Sequence, residues 1–112
     1  MTTPEQALAR VAEVQATYRQ WLALQPQLQA AQQIWQDSVA LMRQLEVFYF
    51  GDEFAELREV VEQHQLQLPP SEEYSVLGED TLWNAFGDQQ TMAWQRLRTA
   101  LAVVDPEQRT QA

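Results

Sequence analysis

Apolar residues recur at helical spacing through the first half of the chain. Thr3-Pro4-Glu5-Gln6 has the pattern of a helix start, with a capping threonine, a proline at the first helical position and a glutamine three residues after the cap. A continuous apolar face opposite a polar face follows, and this predicts an amphipathic helix. The apolar face consists of Leu8, Val11, Val14, Tyr18, Trp21 and Leu22.

A second helix is predicted from about residue 26 to residue 49. Its apolar positions cover more than half of the helix circumference, which is typical of a helix contacted from two sides. Proline lacks a backbone donor and biases the preceding residue away from helical angles. The favoured interpretation is therefore an antiparallel pair of helices hinged at Gln25-Pro26. The alternative is one long kinked helix, because the apolar spacing continues nearly in phase across Pro26.

Glycine and proline divide the second half of the chain. Gly51 permits a left-handed residue after the second helix, and Asp52 can cap a third helix over about residues 53–65. Two consecutive prolines then predict a loop over residues 68–73.

A further helix start is predicted at Gly78-Glu79-Asp80-Thr81, where the helix dipole favours the two acids. This helix either stops and restarts at Gly87-Asp88 or runs through that pair. The last apolar face ends at Asp105-Pro106, and residues 105–112 are predicted to be a frayed polar tail.

These elements predict an all-α fold, because no strand of useful length is present. We expect residues 1–112 to form one domain, a single bundle of four to five helices in which the long second helix is central. Trp21, Trp35 and Trp94 each lie on an apolar stripe, so core packing is expected for them. Leu82, Trp83 and Phe86 cannot all face inward equally. Core packing is the favoured interpretation for Trp83, because large aromatic side chains are usually buried, and an exposed binding surface is the alternative.

The composition excludes several classes of function. The net charge is -9 and the basic residues are all Arg, so no basic patch for nucleic acid is found. The absence of Cys excludes thiolate catalysis and fits a reducing compartment. The first residues predict no signal peptide, and no apolar run approaches the ~20 residues that span a bilayer. We therefore expect a cytoplasmic protein that binds neither nucleic acid nor membranes.

Carboxylates are the main candidates for chemistry. Glutamates recur every three residues at positions 53, 56, 59 and 62 and sweep around the outer helix face, which indicates a solvated surface. His64, the one histidine, is expected to be a helix-end residue. The Glu79-Asp80 pair with Asn84 one turn onward suits either a helix start or a hard cation such as magnesium. No catalytic residue, metal or cofactor is assigned.

Part of the chain resembles a known family. The segments concerned are Leu45-Glu46-Val47-Phe48-Tyr49, Phe54, Leu68-Pro69 and Val76-Leu77-Gly78-Glu79-Asp80-Thr81-Leu82-Trp83-Asn84. They resemble a small bacterial family, domain of unknown function 4298, which has paired tyrosines, a nearby tryptophan and a Gly-Val-Leu-Ser-Glu-Asp segment. Here Phe54 stands where the tryptophan would be, Ser75 replaces the glycine, and Gly78 replaces the serine. The resemblance implies a helical fold and a bacterial origin, and it implies no activity.

The aromatic surplus, the acidity and the lack of a catalytic constellation favour a non-catalytic protein-interaction or structural domain. The predicted partner-binding residues are Phe48, Tyr49, Glu79, Asp80, Trp83 and Asn84. The partner is another protein or a second copy, because long amphipathic helices readily share an apolar stripe. Two alternatives remain: a small metal-dependent hydrolase using Glu79, Asp80 and His64, or an acidic mimic of nucleic-acid charge.

Overall fold

The computed structural model describes residues 1–105 and residue 107, and these contain three helices. The helices are α1 (Pro4–Phe50), α2 (Glu53–Gln63) and α3 (Thr81–Val104). No strand occurs among the described residues, so the predicted all-α class is confirmed. The predicted four to five helices are wrong, and the long helix is the first rather than the second. Of the predicted frayed tail, Pro106 and residues 108–112 lie outside the described residues.

The start of α1 is a complete capping box, as the sequence predicts. The Gln6 backbone N–H donates to Thr3 Oγ1 at 3.1 Å, and the Thr3 backbone N–H donates to Gln6 Oε1 at 3.0 Å. The Ala7 N–H donates to the Thr3 carbonyl at 2.9 Å. The two side-chain bonds satisfy backbone donors that have no partner inside the helix, and the Ala7 bond is the first of the helical ladder.

The hinge predicted at Gln25-Pro26 is wrong, because Pro26 lies inside the continuous helix α1. A proline inside a helix removes one hydrogen bond of the ladder and costs ~3 kcal/mol or more. The residues on both sides are mostly Ala, Leu and Gln, which have high helix propensity and keep the rest of the ladder. The apolar spacing that continues across Pro26 also favours one helix, which was the alternative interpretation.

The chain divides into two compact units, Met1–Ala40 and Leu41–Ala112, which we call the N-terminal and C-terminal units. In the N-terminal unit no residue is buried, and Trp35, Ser38 and Val39 are partly covered. The predicted core position of Trp21 is therefore wrong, since it is 49% exposed. That residues 1–112 form one domain stays a prediction.

The C-terminal unit contains the end of α1 together with α2 and α3. Leu82 is its buried apolar residue, at 3% exposure, whereas Trp94 is 52% exposed and does not take the core position predicted for it. α3 runs through Gly87-Asp88 without interruption. A glycine inside a helix costs only about 1 kcal/mol relative to alanine, so the flanking turns outweigh it.

The connection between α1 and α2 is made by Gly51 and Asp52. No glycine of the described chain has a positive φ, so the left-handed role predicted for Gly51 is wrong. Instead Gly51 approaches the Val47 carbonyl closely: its N–H donates to that oxygen at 3.1 Å, and a Cβ on Gly51 would lie 2.9 Å from it. Asp52 takes the predicted N-cap position of α2, although its side chain makes no capping hydrogen bond.

The end of α2 lies two residues before the predicted one, at Gln63, with His64 as C-cap. Gln65 has a left-handed backbone with φ of 48°. The Leu66 N–H donates to the Val61 carbonyl at 3.0 Å, and the Gln65 N–H donates to the Glu62 carbonyl at 3.3 Å. This pair of bonds is a Schellman motif, which usually has glycine at the left-handed position.

The three helices of the described residues are not membrane spans. None of their helices combines the length and the apolar character that crossing a bilayer requires.

Candidate protein-interaction surface

Five aromatic side chains come together in the C-terminal unit, and we call them the aromatic cluster. The Tyr49 ring lies at its centre, with centroid distances of 5.0 Å to Phe50, 4.8 Å to Phe54 and 5.4 Å to Phe86. Phe48 meets Phe54 edge to face at 5.8 Å. Each such pair contributes about 0.5–1.5 kcal/mol beyond its buried area. The aromatic cluster therefore joins the end of α1, the first turn of α2 and the first turns of α3.

The outer side of this cluster remains in solvent. Phe50 is 66% exposed, although its ring stacks on Phe86 at 5.6 Å with an interplanar angle of 24°. The Arg58 guanidinium carbon lies 5.5 Å from the centre of the Phe54 ring, within the range of a cation–π contact. Packed rings with an exposed face form a rigid apolar surface, and such surfaces mark sites of association.

Trp83 is exposed as well, at 58%. It follows the buried Leu82, and consecutive helical residues point about 100° apart. Burial of Leu82 therefore turns Trp83 outward. The favoured core position of Trp83 is wrong, and the alternative, a surface position, is the observed one. Trp83 is three residues before Phe86 on α3, and residues at that spacing are neighbours on a helix surface.

Polar groups flank Trp83 at the start of α3. Glu79, Asp80 and Asn84 are all exposed. Asp80 occupies the N-cap position and its carbonyl accepts from the Asn84 N–H at 2.9 Å, but its side chain makes no capping hydrogen bond. The carboxylates of Glu79 and Asp80 therefore face solvent near the positive end of the α3 dipole.

Ser75 and Gly78 organise the turn before α3. The Ser75 hydroxyl accepts from the Leu77 N–H at 3.1 Å, and the Ser75 carbonyl accepts from the Gly78 N–H at 2.9 Å. A Cβ on Gly78 would lie 2.7 Å from Thr81 Oγ1 and 3.1 Å from the Ser75 carbonyl. Ser75 thus begins the turn and accepts two of its backbone hydrogen bonds. Gly78 has no Cβ, and this leaves room for the Thr81 side chain.

The acidic residues do not converge. No group of three His, Cys, Asp or Glu side chains among the described residues is placed to hold a metal ion. Glu79, Asp80 and His64 therefore do not form the joint site that the hydrolase hypothesis needs. The glutamates at 53, 56, 59 and 62 are exposed, as predicted for a solvated face, and Glu59 accepts from Gln63 Nε2 at 3.2 Å.

The six predicted partner-binding residues fall into two groups. Phe48 and Tyr49 are half-buried members of the aromatic cluster, whereas Glu79, Asp80, Trp83 and Asn84 are exposed along the start of α3. Phe50 and Phe86 are not among the residues predicted for this surface. The two residues lie on different helices, so the sequence pattern within each helix could not predict that their rings stack.

Comparison with known proteins identifies the family of the chain. No curated protein and no solved structure matches it. The model of a family described as a domain of unknown function (DUF4298) matches residues 11–99, which include α2, the aromatic cluster and the start of α3. The matched segment is most of the 112-residue chain, and the chain therefore belongs to the DUF4298 family.

Proposed function

We propose that this protein is a non-catalytic interaction domain that binds another protein through the start of α3 and the adjacent aromatic cluster. The observation that carries the proposal is the exposure of Trp83, 58% of which faces solvent beside the fixed rings of the cluster. Tryptophan is enriched among the few residues that supply most of the binding energy at interfaces. An aromatic side chain held on a helix also loses little conformational entropy on binding.

Charge indicates the chemistry of the partner. Residues 41–112 contain thirteen Asp and Glu against five Arg, a net charge of -8. Glu79 and Asp80 place two of these acids four and three residues before Trp83 on the chain. Opposite charge steers association and suppresses wrong partners. We therefore propose that the partner has an apolar pocket that receives Trp83 and basic residues that face Glu79 and Asp80.

The amino-acid composition also bears on the cellular location of the protein. A chain without Cys suits a reducing compartment, so we propose a cytoplasmic location. No observation on the described residues favours the metal-dependent hydrolase or the nucleic-acid mimic, and neither is carried forward.

Photo-crosslinking in the cells that produce the protein tests the proposal. A benzophenone amino acid is placed at Asn84, and at Glu59 on the exposed face of α2 as a control. We expect a discrete cross-linked product from the Asn84 probe that the Glu59 probe does not give. Adding Trp83→Ala should abolish this product, whereas Trp94→Ala, which removes a similarly exposed tryptophan later in α3, should leave it unchanged.

Two results would contradict the proposal. Equal labelling from both probe positions would mean that this surface has no preferred partner. A product with the mass of two copies of the chain would mean that the surface binds itself rather than another protein.

A further inference from the structure

The N-terminal unit exposes a row of apolar side chains along α1, which we call the α1 stripe. Its members are 49% to 63% exposed, and none of the described residues of that unit is buried. The stripe also borders an apolar depression on the helix surface lined by Arg10, Val11, Val14, Gln15 and Tyr18. The α1 stripe consists of Val11, Val14, Tyr18, Trp21 and Leu28.

The spacing of the α1 stripe is that of a coiled coil. Its residues follow one another at steps of three, four, three and seven, which is a repeat of 3.5 residues. Two helices that supercoil around each other bury such a stripe along its whole length. On straight helices the stripe would instead turn away from the partner by ~20° for every seven residues. Gln25 takes the one polar position within this repeat, and a single polar residue at such a position is a known means of setting register.

A helix with an exposed apolar stripe of this length requires a partner surface. Helices in proteins gain most of their stability from packing an apolar face rather than from intrinsic propensity. The N-terminal unit contains no second element, since every residue from Pro4 to Ala40 belongs to α1. The two aromatic members stack on each other, with Tyr18 and Trp21 ring centroids 6.3 Å apart, but both remain half exposed. The apolar face is therefore formed but uncovered.

The exposed area is about what a stable dimer needs. Aromatic side chains bury about 150–250 Å² each when fully covered. About half of that area is still exposed in Tyr18 and in Trp21, and each of the three aliphatic members exposes somewhat less, so the α1 stripe offers on the order of 500 Å² per chain. Two such stripes facing each other remove on the order of 1,000 Å² from water, which is about the minimum area of a biological interface.

The charge distribution favours a second copy over a charged partner. Residues 1–40 contain three acids and two arginines, a net charge of -1, although the whole chain carries -9. Arg10 and Glu13 already pair with each other at 3.0 Å on the helix surface. Two copies of this unit thus meet without the like-charge repulsion that the C-terminal units would produce, and a strongly charged partner gains little.

We propose that the protein is a homodimer in which the α1 stripe of one copy packs against the α1 stripe of the other. This surface differs from the one around Trp83, so the dimer and the binding of another protein are tested independently. The α1 stripe provides self-association, and the start of α3 binds another protein.

Oligomeric state in solution is the first test, measured by sedimentation of the full chain. The monomer mass is 13.0 kDa, and we expect twice that value for the wild-type protein. Trp21→Glu replaces a stripe residue by a charge that the interface would bury, and should weaken dimerisation at least about 100-fold. Gln20→Glu is the matched control: it puts the same residue one position away on the opposite face and should leave the dimer intact.

Cross-linking provides a second measurement that does not depend on a disruptive variant. The chain has no cysteine, so single cysteines can be introduced at Val14, Tyr18 and Trp21 one at a time. We expect at least one of them to form a disulfide-linked dimer on mild oxidation, and a cysteine at Gln20 to form none. This result supports the dimer even if Trp21→Glu unfolds the N-terminal unit.

Three outcomes would overturn the proposal. A wild-type chain that sediments as a monomer at ~100 μM has no self-affinity of biological use. A trimer or larger assembly would replace the two-stranded arrangement. A dimer that survives Trp21→Glu and that only the Gln20 cysteine cross-links would use another face of the chain.

Discussion

At the scale of single residues, backbone conformation decides which substitutions the chain tolerates. Gln65 is the one non-glycine residue of the described chain with a positive φ. A side chain in this region of conformation crowds the following carbonyl, and only glycine avoids that cost. Gln65 is held there because its N–H and that of Leu66 satisfy two terminal carbonyls of α2.

We expect Gln65→Gly to stabilise the protein by about 0.5–1 kcal/mol, because it relieves the strained position and keeps both hydrogen bonds. Urea unfolding followed by circular dichroism measures the change. Gln67→Gly is the control, since Gln67 is exposed and has no positive φ. It should be neutral or slightly destabilising. A loss of stability in Gln65→Gly would show that the Schellman motif does not form.

Two glycines with different surroundings should respond in opposite directions to the same substitution. Gly51→Ala places a Cβ 2.9 Å from the Val47 carbonyl, so the α1–α2 connection must shift, at a cost of about 1–2 kcal/mol. Gly87→Ala meets nothing within 4 Å inside α3 and should stabilise by about 0.5–1 kcal/mol through lower chain entropy. Parallel thermal melts of the two variants measure the difference. The same sign for both would refute this explanation.

At the scale of elements, the helices are bounded by particular residues and continue past others. The capping box at Thr3 and the Gly51-Asp52 connection bound α1. Pro26 and Gly87, which are expected helix breakers, both lie inside helices. One glycine inside a helix costs about 1 kcal/mol, and one proline costs ~3 kcal/mol or more. A long helix with good helix formers on both sides accommodates that cost.

This explanation predicts that Pro26→Ala stabilises the protein. Alanine restores the missing backbone donor inside α1, so we expect a gain of about 1–3 kcal/mol in the free energy of unfolding. Pro4→Ala is the matched control, because at the first helical position the lost donor has no partner in any case, and its effect should be small. If Pro26 were instead at a hinge, Pro26→Ala would be neutral or destabilising.

At the scale of the whole molecule, apolar surface and charge are distributed unequally. The N-terminal unit is almost neutral and exposes the α1 stripe, whereas residues 41–112 carry nearly all of the net charge and hold the aromatic cluster. Such a division suits a protein that associates with its own copy through one unit and with a different protein through the other.

Dimerisation also predicts a melting temperature that depends on protein concentration. Folding coupled to association is favoured by mass action, so a tenfold increase in concentration should raise the melting temperature by a few degrees. Gln20→Glu should show the same dependence, and Trp21→Glu should lose it. A wild-type melting temperature that is constant over a hundredfold range of concentration would speak against the dimer.

Much of this architecture was predictable from local pattern. Thr3 and Gln6 predict the capping box, and the double proline predicts the loop after α2. The α3 helix ends before Asp105, as expected. These features depend on residues close together in the chain. The family resemblance also depended on short segments, and the match over residues 11–99 confirms it.

Exposure was not predictable in the same way. Periodicity showed that Trp21 and Trp94 lie on apolar faces, but it could not show whether anything in the same chain covers those faces. The meeting of Tyr49 with Phe86 likewise depends on how α1 and α3 are placed.

The sequence by itself therefore determined the helical class, the capping box of α1, the charge and the family, because local hydrogen bonding and composition decide these. The tertiary structure decided the rest: that Pro26 does not break α1, that five rings converge around Tyr49, and that Trp83 faces solvent. Each of these depends on contacts between distant residues, or on their absence, and on the balance of several small free energies over a whole element.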